Sequence, residues 1–245
     1  MEKIRTGIPG FDDLIKDGIE KGSIVLVAGG TGTGKTNFCS QFLHHGAQKG
    51  ESGLYITFEE EPQQIQRHVA KIGLDFENFI KSGKVRFQKV DIYKVSKAVE
   101  AAILRAKGEL LIPLKDLPEI IPKNFKPARI VVDSLSALSV AFKASDYRYF
   151  LFKFLSYLKE LGATVLAISE TSQDPSEFSR TGIEEFLSDG VFVLYSIKHG
   201  GVRIRALEVL KMRGSSHVGK IVPFKITEKG IQVFPNQGIL TSEQL

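Results

Sequence analysis

The sequence predicts an α/β fold with a twisted, mainly parallel central sheet, helices flanking it, and antiparallel strands added near the C-terminus. Short apolar runs rich in β-branched residues alternate with longer stretches of helical spacing, which is typical of parallel strands joined by helices. From 202 to 234 the pattern becomes strand-rich, with Gly214 and "TEKG" as turn signals. A chain of 245 residues suits one large domain, and we expect a single domain over 1–245.

The first half of the chain predicts three strands, each followed by a helix. The strands are expected at 23–28, 53–60 and 84–90, and the helices after 34, over 62–72 and over about 95–107. The first strand, "SIVLVA", is apolar at nearly every position, as expected for a strand covered on both faces. Helical spacing then places four small or apolar residues on one side of the first helix: Cys39, Phe42, Leu43 and Gly46.

The second half predicts three more strands, at 129–134, 163–169 and 190–196, with one helix between the first two. One face of that helix is apolar and aromatic, which predicts core or a subunit contact rather than a cofactor site: Phe150, Leu151, Phe154, Leu155 and Leu158. Upstream, the segment of about 108–127 contains four of the nine prolines. Because proline interrupts helices and central strands, we expect a surface insertion there.

Composition excludes several classes of protein. The 33 basic residues barely outnumber the 28 acidic ones, and this mild net charge of +5 does not favour a nucleic-acid-binding surface. A single cysteine, Cys39, excludes an intrachain disulfide and, without a Cys/His cluster, argues against structural zinc. The N-terminus is charged where a signal peptide would be apolar, and no apolar run approaches membrane-spanning length. We therefore expect a cytoplasmic protein without membrane contact.

The run "GGTGTGKT" (29–36) lies between the first strand and the first helix and fits the phosphate-loop pattern G-x-x-x-x-G-K-[ST]. Glycines let such a loop curl so that its backbone N–H groups point at phosphate oxygens. Lys35 is expected to reach the β- and γ-phosphates and Thr36 to offer its hydroxyl to Mg²⁺. The nucleotide-binding residues predicted here are Gly30, Thr31, Gly32, Thr33, Gly34, Lys35, Thr36 and Asn37.

Acidic residues end two of the predicted strands, where ligands collect in open α/β sheets. Asp133 follows "IVV" and is either a helix cap or, beside a phosphate loop, the second Mg²⁺ ligand with Thr36. Glu59 and Glu60 end another strand, and one of them could orient the water that attacks the γ-phosphate. We expect these two side chains to be partly buried. Glu61 fits the acidic N-terminus of the next helix.

The stretch "LKMRGSSH" (210–217) carries two cations, Lys211 and Arg213, two residues apart. In a strand they share one face, because side chains repeat every second residue. A solvated strand face is the commoner outcome of this pattern. The alternative is a pair of cations that stabilises a transferring phosphoryl group.

Together these residues resemble the KaiC-like branch of the RecA superfamily of P-loop ATPases. The resemblance spans nearly the whole chain and is carried by the phosphate loop and by these blocks: "TGIPGFDDLI", "YITFEEEPQQI", "IVVDSLSAL", "GIEEFLSDGVFVLY", "LEVLKMRGSSH" and "FKITEKGIQVFP". It implies a RecA-like core that binds ATP or ADP with Mg²⁺. It also implies a homo-oligomer, usually a hexameric ring, with nucleotides between the subunits.

The resemblance also implies roles for individual residues. Glu59 and Glu60 match paired catalytic glutamates, with Glu60 as the favoured base. Lys211 and Arg213 match cations that reach the neighbouring subunit's γ-phosphate. Positions that line the nucleotide across the same interface are matched by Met212, Ser215, His217 and Glu228. The clock proteins of this branch carry two such domains and a phosphorylated tail, and this chain lacks that pattern, so a clock role is not expected.

The leading hypothesis is therefore a slow, ring-forming ATPase that acts as a nucleotide-dependent switch. The alternative is a RecA-like DNA-binding ATPase, with "SLSALSVAFKAS" and "ETSQDPSEFSRTG" as DNA-binding loops. The second loop has one cation, Arg180, against three acids, which is a poor phosphate track. A scaffold that only binds ATP has no need of Glu59 and Glu60. The absence of an N-K-x-D motif disfavours a GTPase, and autokinase activity stays open.

Overall fold

The computed structural model describes residues 2–105, 120–172, 178–199 and 201–238. The strands are β1 Lys3–Ile4, β2 Ile19–Glu20, β3 Ile24–Gly29, β4 Gly53–Thr57, β5 Val85–Lys89, β6 Arg129–Asp133, β7 Thr164–Glu170, β8 Gly190–His199, β9 Val202–Met212, β10 Val222–Thr227 and β11 Gly230–Val233. The helices are α1 Lys35–Gln48, α2 Pro62–Ala70, α3 Glu77–Lys81, α4 Ile92–Arg105, α5 Leu135–Ala141, α6 Ala144–Glu160 and α7 Glu184–Leu187.

One nine-stranded sheet organises the described residues, in the order β11-β10-β9-β8-β3-β7-β6-β4-β5. Every pair from β8 to β5 is parallel. The pairs β8–β9, β9–β10 and β10–β11 are antiparallel. The predicted fold class is therefore confirmed, including the antiparallel strands near the C-terminus. Among the described residues, no helix combines the length and apolar character needed to cross a membrane.

Helices cover both faces of this sheet. In β3, Val25 and Val27 pack in the cluster that contains α1, while Leu26 and Ala28 pack in the cluster that contains α6. This two-sided burial explains why "SIVLVA" is continuously apolar. The predicted faces of both helices are buried: Cys39, Phe42, Leu43 and Gly46 in α1, and Phe150, Leu151, Phe154, Leu155 and Leu158 in α6. The aromatic face of α6 is therefore core.

Two of the predicted elements differ in the structure. The single helix expected between β6 and β7 is two helices, because Phe142 and Lys143 adopt extended backbone conformations between α5 and α6. Phe142 stacks on Phe150 with ring centroids 4.9 Å apart, which fixes this turn against the core. The strand expected at 53–60 ends at Thr57. Much of the predicted proline-rich insertion lies outside the described residues, and 120–127 contains no helix or strand.

The order and direction of the strands determine which strand ends lie at the same edge of the sheet. Gly29 of β3 is level with Glu170 of β7, and Thr57 of β4 is level with Asp133 of β6, so four strands end at one edge of the sheet. The C-terminus of β9 lies at the opposite edge, since β9 runs antiparallel to them. Met212 pairs with Gly190, which is itself level with Val25 at the beginning of β3.

Candidate functional site

The phosphate-loop sequence connects β3 to α1, and its glycines have conformations that other residues rarely adopt. Gly34, at the N-terminus of α1, has φ of 103°. Gly29 has φ of 157°, and a Cβ there would lie 2.4 Å from the carbonyl oxygen of Leu194. The loop therefore depends on glycine both for its curl and for its close approach to β8.

Lys35 is buried at the base of this loop. Its Nζ atom donates to the carbonyl oxygens of Gly29 and Gly30, both at 2.9 Å. Thr33 Oγ1 also donates to Gly30, at 2.9 Å, which closes the loop on itself. Burial lowers the pKa of the Lys35 ammonium, opposed by the carboxylates of Glu170 and Asp133. The cation is thus held inside the loop by neutral oxygens that a phosphate group can replace.

A cavity of about 300 Å³ opens in front of the loop. It brings together residues from five strands and α1: Thr31, Gly32, Gly34, Lys35, Thr36, Asn37, Thr57, Glu59, Glu60, Asp133, Ile168, Glu170, Arg205 and Ile226. Six of the eight predicted loop residues, both predicted glutamates and Asp133 therefore share one cavity, whereas Gly30 and Thr33 do not line it. The sequence prediction missed Arg205 and Glu170 as parts of it. Arg205 is exposed in β9, level with Ser196 of β8, and nothing in the local sequence distinguishes it from Arg203.

Two oxygen atoms suited to a hard cation lie side by side in this cavity. Thr36 Oγ1 donates to Oδ2 of Asp133 at 3.3 Å, and the Tyr55 hydroxyl donates to the same oxygen at 2.5 Å. Burial raises the pKa of the Asp133 carboxyl, and both hydrogen bonds oppose that rise. Burial also raises the pKa of the Tyr55 phenol well above its ordinary value, so the phenol keeps its proton. A hydroxyl beside a carboxylate fits Mg²⁺, which prefers oxygen ligands.

Glu59 and Glu60 lie at the mouth of the cavity, where the chain leaves β4. Thr57 Oγ1 donates to the carbonyl oxygen of Glu60 at 2.9 Å, which fixes the turn. The expected partial burial is wrong, since both residues are exposed and the Glu60 side chain keeps 52% of its accessible surface. The reason is that the strand ends at Thr57, before either glutamate. Glu61 precedes α2 as expected and pairs with Lys89.

Lys211 and Arg213 lie away from this cavity. Lys211 Nζ donates to the carbonyl oxygens of Glu185 and Ser188, both at 2.8 Å. An Nη atom of Arg213 donates to the carbonyl oxygen of Phe186 at 3.0 Å. Both cations thus contact the same segment, 185–188, as side chains on one strand face do. Burial and the neighbouring Arg213 lower the pKa of the Lys211 ammonium.

That segment is anchored by a buried carboxylate. Glu184 of α7 is fully buried and accepts hydrogen bonds from the Tyr147 hydroxyl at 2.8 Å and from Thr181 Oγ1 at 2.5 Å. Burial raises the pKa of Tyr147, which keeps its proton for Glu184. On the outer side of α7, Phe186 is 71% exposed. The two cations are therefore held on a fixed support beside an exposed aromatic ring.

The remaining predicted nucleotide-binding residues are divided between two places. Met212 is nearly buried at 9% exposure, Ser215 Oγ accepts a hydrogen bond from Lys3 Nζ at 3.1 Å, and the buried Nδ1 of His217 has no partner among the described residues. Met212 ends β9, and Ser215 and His217 follow that strand together with Arg213. Glu228 is exposed in the turn between β10 and β11, where its carbonyl oxygen approaches Gly73 after α2. The chain does not bring Glu228 together with Lys211.

Comparison with known proteins gives consistent matches. A family model described as "ATPase: KaiC" matches residues 4–238. The circadian clock protein KaiC3 of Synechocystis is 36% identical over 98% of this chain, and a UPF0273 protein of Thermotoga maritima is 34% identical over 97%. The crystal structure of a KaiC-like protein from Pyrococcus horikoshii matches with a TM-score of 0.78 and 33% identity, covering 96% of this chain and 99% of that one.

These relatives differ in length. The chain spans about half of the clock relatives it matches, covering 47% of the Synechocystis protein and 44% of the clock oscillator protein KaiC of Synechococcus elongatus. It covers 98% of the Thermotoga protein. The similarity to the clock proteins therefore concerns one part of each of them.

Proposed function

The chain belongs to the KaiC family of ATPases, and from that premise we propose that it hydrolyses ATP slowly, with Mg²⁺, between the subunits of a ring. One observation carries the proposal. The phosphate loop and the cations Lys211 and Arg213 lie at opposite edges of the same sheet. A site that uses both must therefore take them from two different chains.

Within one subunit, the proposed site holds the triphosphate in the cavity in front of the loop. Lys35 exchanges its two carbonyl partners for phosphate oxygens, and the N-terminus of α1 adds partial positive charge. Thr36 and Asp133 would hold Mg²⁺, which supplies charge neutralisation along the phosphates. Glu60, exposed at the mouth of the cavity, orients the attacking water.

The neighbouring subunit completes the site. The end of β9 is about 13 Å from the level of the phosphate loop, counting the four residue steps from Val25 to Gly29 at the rise of a strand. Arg213 is exposed and Lys211 is partly exposed, so both can approach the γ-phosphate of another copy. A repeated contact of one edge with the opposite edge of the next copy is heterologous and closes into a ring when its rotation allows.

This division predicts a switch. A lone subunit binds ATP but turns it over poorly, because the cations that stabilise the transition state come from its neighbour. Hydrolysis removes the group that those cations contact, so the interface is tighter with ATP than with ADP. ATP turnover is thereby coupled to the assembly state.

The test combines two inactive variants. Lys35→Ala removes the loop cation, and Arg213→Ala removes the cation for the next subunit. Rings made of either variant alone are expected to be inactive. Rings that contain both variants should regain turnover, since some of their interfaces pair the intact loop of one subunit with the intact Arg213 of its neighbour. A mixture that stays inactive although mass measurement shows mixed rings would contradict the proposal, as would Arg213→Ala rings with normal turnover.

Two other readings have less support. For the DNA-binding alternative, the expected first loop, 134–145, contains α5, whose residues 135–138 are buried and unavailable to DNA. In the second loop, 173–177 lies outside the described residues. A gel shift with single-stranded DNA that weakens steeply with salt would revive this alternative. Autokinase activity would use the same loop and stays a prediction, tested by transfer of labelled γ-phosphate to the protein.

A further inference from the structure

Tyr55 carries a hydroxyl although the residue packs in one of the two apolar clusters of the core. The residue lies in β4 and is fully buried. Its ring stacks on Phe87 of β5, with centroids 5.0 Å apart and planes at 12°. A phenylalanine would make the same ring contacts, so packing does not account for the hydroxyl. Burying a hydroxyl opposes folding unless the group forms a hydrogen bond.

The partner of this hydroxyl is the carboxylate that faces the phosphate loop. The phenol donates to Oδ2 of Asp133 at 2.5 Å. Strand register explains the contact. Tyr55 pairs with Val131 and Thr57 pairs with Asp133, so Tyr55 and Asp133 are diagonal neighbours on one face of the sheet.

Two hydrogen bonds therefore hold the Asp133 carboxylate from different sides. One donor, Thr36, is open to the cavity, and the other, Tyr55, is not. Thr36 Oγ1 reaches Oδ2 from the loop at 3.3 Å and also lines the cavity, so it can turn to a bound cation. The Tyr55 hydroxyl approaches from the core. Since its side chain is fully buried and does not line the cavity, Tyr55 can keep its hydrogen bond to Asp133 whether or not the cavity is filled.

We propose that Tyr55 is a positioning residue for Asp133, fixing the rotation of its carboxylate so that it receives Mg²⁺ together with the nucleotide. This rests on the proposed function, because it takes Thr36 and Asp133 as the metal-binding pair. Hydrogen bonds from the next layer of residues orient carboxylate ligands, and losing one commonly weakens metal binding 10- to 100-fold. The role predicts an effect on metal-dependent binding and none on the metal-free nucleotide complex.

The experiment measures binding of a fluorescent ADP analogue across a Mg²⁺ titration and, separately, in EDTA. Tyr55→Phe keeps the ring and its stack on Phe87 while removing the hydroxyl. It is expected to raise the Mg²⁺ concentration at half-maximal effect about 10-fold. Affinity in EDTA is expected to stay at the wild-type value, since Lys35 and the loop are unchanged. Hydrolysis is not needed for this measurement.

Tyr147→Phe is the matched control. Tyr147 is also a buried tyrosine that donates to a buried carboxylate, that of Glu184, but its side chain packs on the opposite face of the sheet. A general loss of stability from removing a buried hydroxyl would affect both variants. Only Tyr55→Phe is expected to shift the Mg²⁺ midpoint.

A double-variant cycle tests whether Tyr55 acts through Asp133. Asp133→Asn is expected to abolish the effect of Mg²⁺, and adding Tyr55→Phe to it should then change nothing further. Should Tyr55→Phe fail to fold, Tyr55→Met, which fills the space with a flexible apolar chain, gives the same readout.

The outcomes separate the two proposals. If wild-type binding depends on Mg²⁺ and Tyr55→Phe leaves the midpoint unchanged, the role of Tyr55 is wrong and the proposed ATPase site stands. If wild-type protein binds nucleotide equally in Mg²⁺ and in EDTA, the metal pair itself is wrong and both proposals fail. A shifted midpoint with unchanged binding in EDTA supports Tyr55 as the positioning residue.

Discussion

The two edges of the central sheet are built in different ways. At the edge with the phosphate loop, charged groups face a cavity: Lys35, Glu59, Glu60, Asp133, Glu170 and Arg205 all line it. At the other edge, Lys211 and Arg213 donate hydrogen bonds to the carbonyl oxygens of Glu185, Phe186 and Ser188. The first edge is arranged to receive a ligand within one chain. The second, under the proposed function, supplies cations to another copy.

Strand β9 connects these two edges. Arg205 lines the cavity near one end of β9, and Lys211 lies near the other end. Six residues separate them, which is roughly 15–20 Å of strand. One strand thus places a cation at the cavity near one end and, under the proposed function, a cation for a second copy near the other. Arg205 and Lys211 are close in sequence, yet they lie at different edges of the sheet.

The largest expected effect comes from removing the outward cation. Arg213→Ala is expected to lower ATP turnover about 1,000-fold, because arginines supplied to a γ-phosphate stabilise the transition state by at least that factor. ATP affinity should change little, since the loop is intact. Steady-state turnover and nucleotide titration check this. Arg203→Ala, which removes an exposed arginine of β9, is the control and should leave turnover unchanged.

Glu60→Gln tests the contribution of the cavity edge. Turnover is expected to fall about 100-fold, as for loss of a general base, with ATP binding retained. Glu61→Gln is the matched control, because Glu61 pairs with Lys89 and does not line the cavity. Equal losses for Glu60→Gln and Glu61→Gln would remove Glu60 from the proposed chemistry.

The buried Glu184 anchors the segment that Lys211 and Arg213 contact, and its hydrogen bonds are expected to contribute to the free energy of unfolding. Removing the Tyr147 hydroxyl leaves the buried Glu184 with one donor fewer, which should lower the free energy of unfolding by about 1–3 kcal/mol. Urea denaturation of Tyr147→Phe measures this. Lys81→Ala removes an ion pair with Glu77 that lies on the surface, and it is expected to lower the free energy of unfolding by less than Tyr147→Phe does. The reverse order would show that α7 is not anchored as described.

The smallest effect concerns pH. Burial raises the pKa of Asp133, so the folded protein binds this proton more tightly than the unfolded chain does, and the charged form opposes folding. Asp133→Asn is therefore expected to raise the melting temperature of nucleotide-free protein at neutral pH. The advantage should shrink as pH falls through the raised pKa and vanish below the ordinary carboxyl pKa of about 3.9. A variant that melts lower at neutral pH would contradict this sign.

The sequence predicted much of the cavity edge because its signals are local. The phosphate loop is contiguous, and Asp133 directly follows a run of buried strand residues, so a parallel sheet brings both to one edge. Glu59 and Glu60 were predicted at that edge for the same reason. Their exposure was not, because burial depends on where β4 stops and on what covers its end.

Other parts of the site have no local signal. Arg205 and Arg203 are equivalent in sequence pattern, and only the register of β9 against β8 brings Arg205 to the cavity. Tyr55 looks like any aromatic residue of a buried strand until β6 is placed beside β4. Glu184 looks like a surface acid of a short helix, yet Tyr147 and Thr181 enclose it.

The α/β class, the phosphate loop and the acids that follow its strands could be predicted from the sequence, since strand and loop patterns arise from residues close together in the chain. That Lys211 and Arg213 lie away from that loop could be seen only in the folded chain, because the direction and register of β9 depend on pairing between distant segments. Parallel or antiparallel direction is a property of a pair of strands, and the residues of one strand do not specify it.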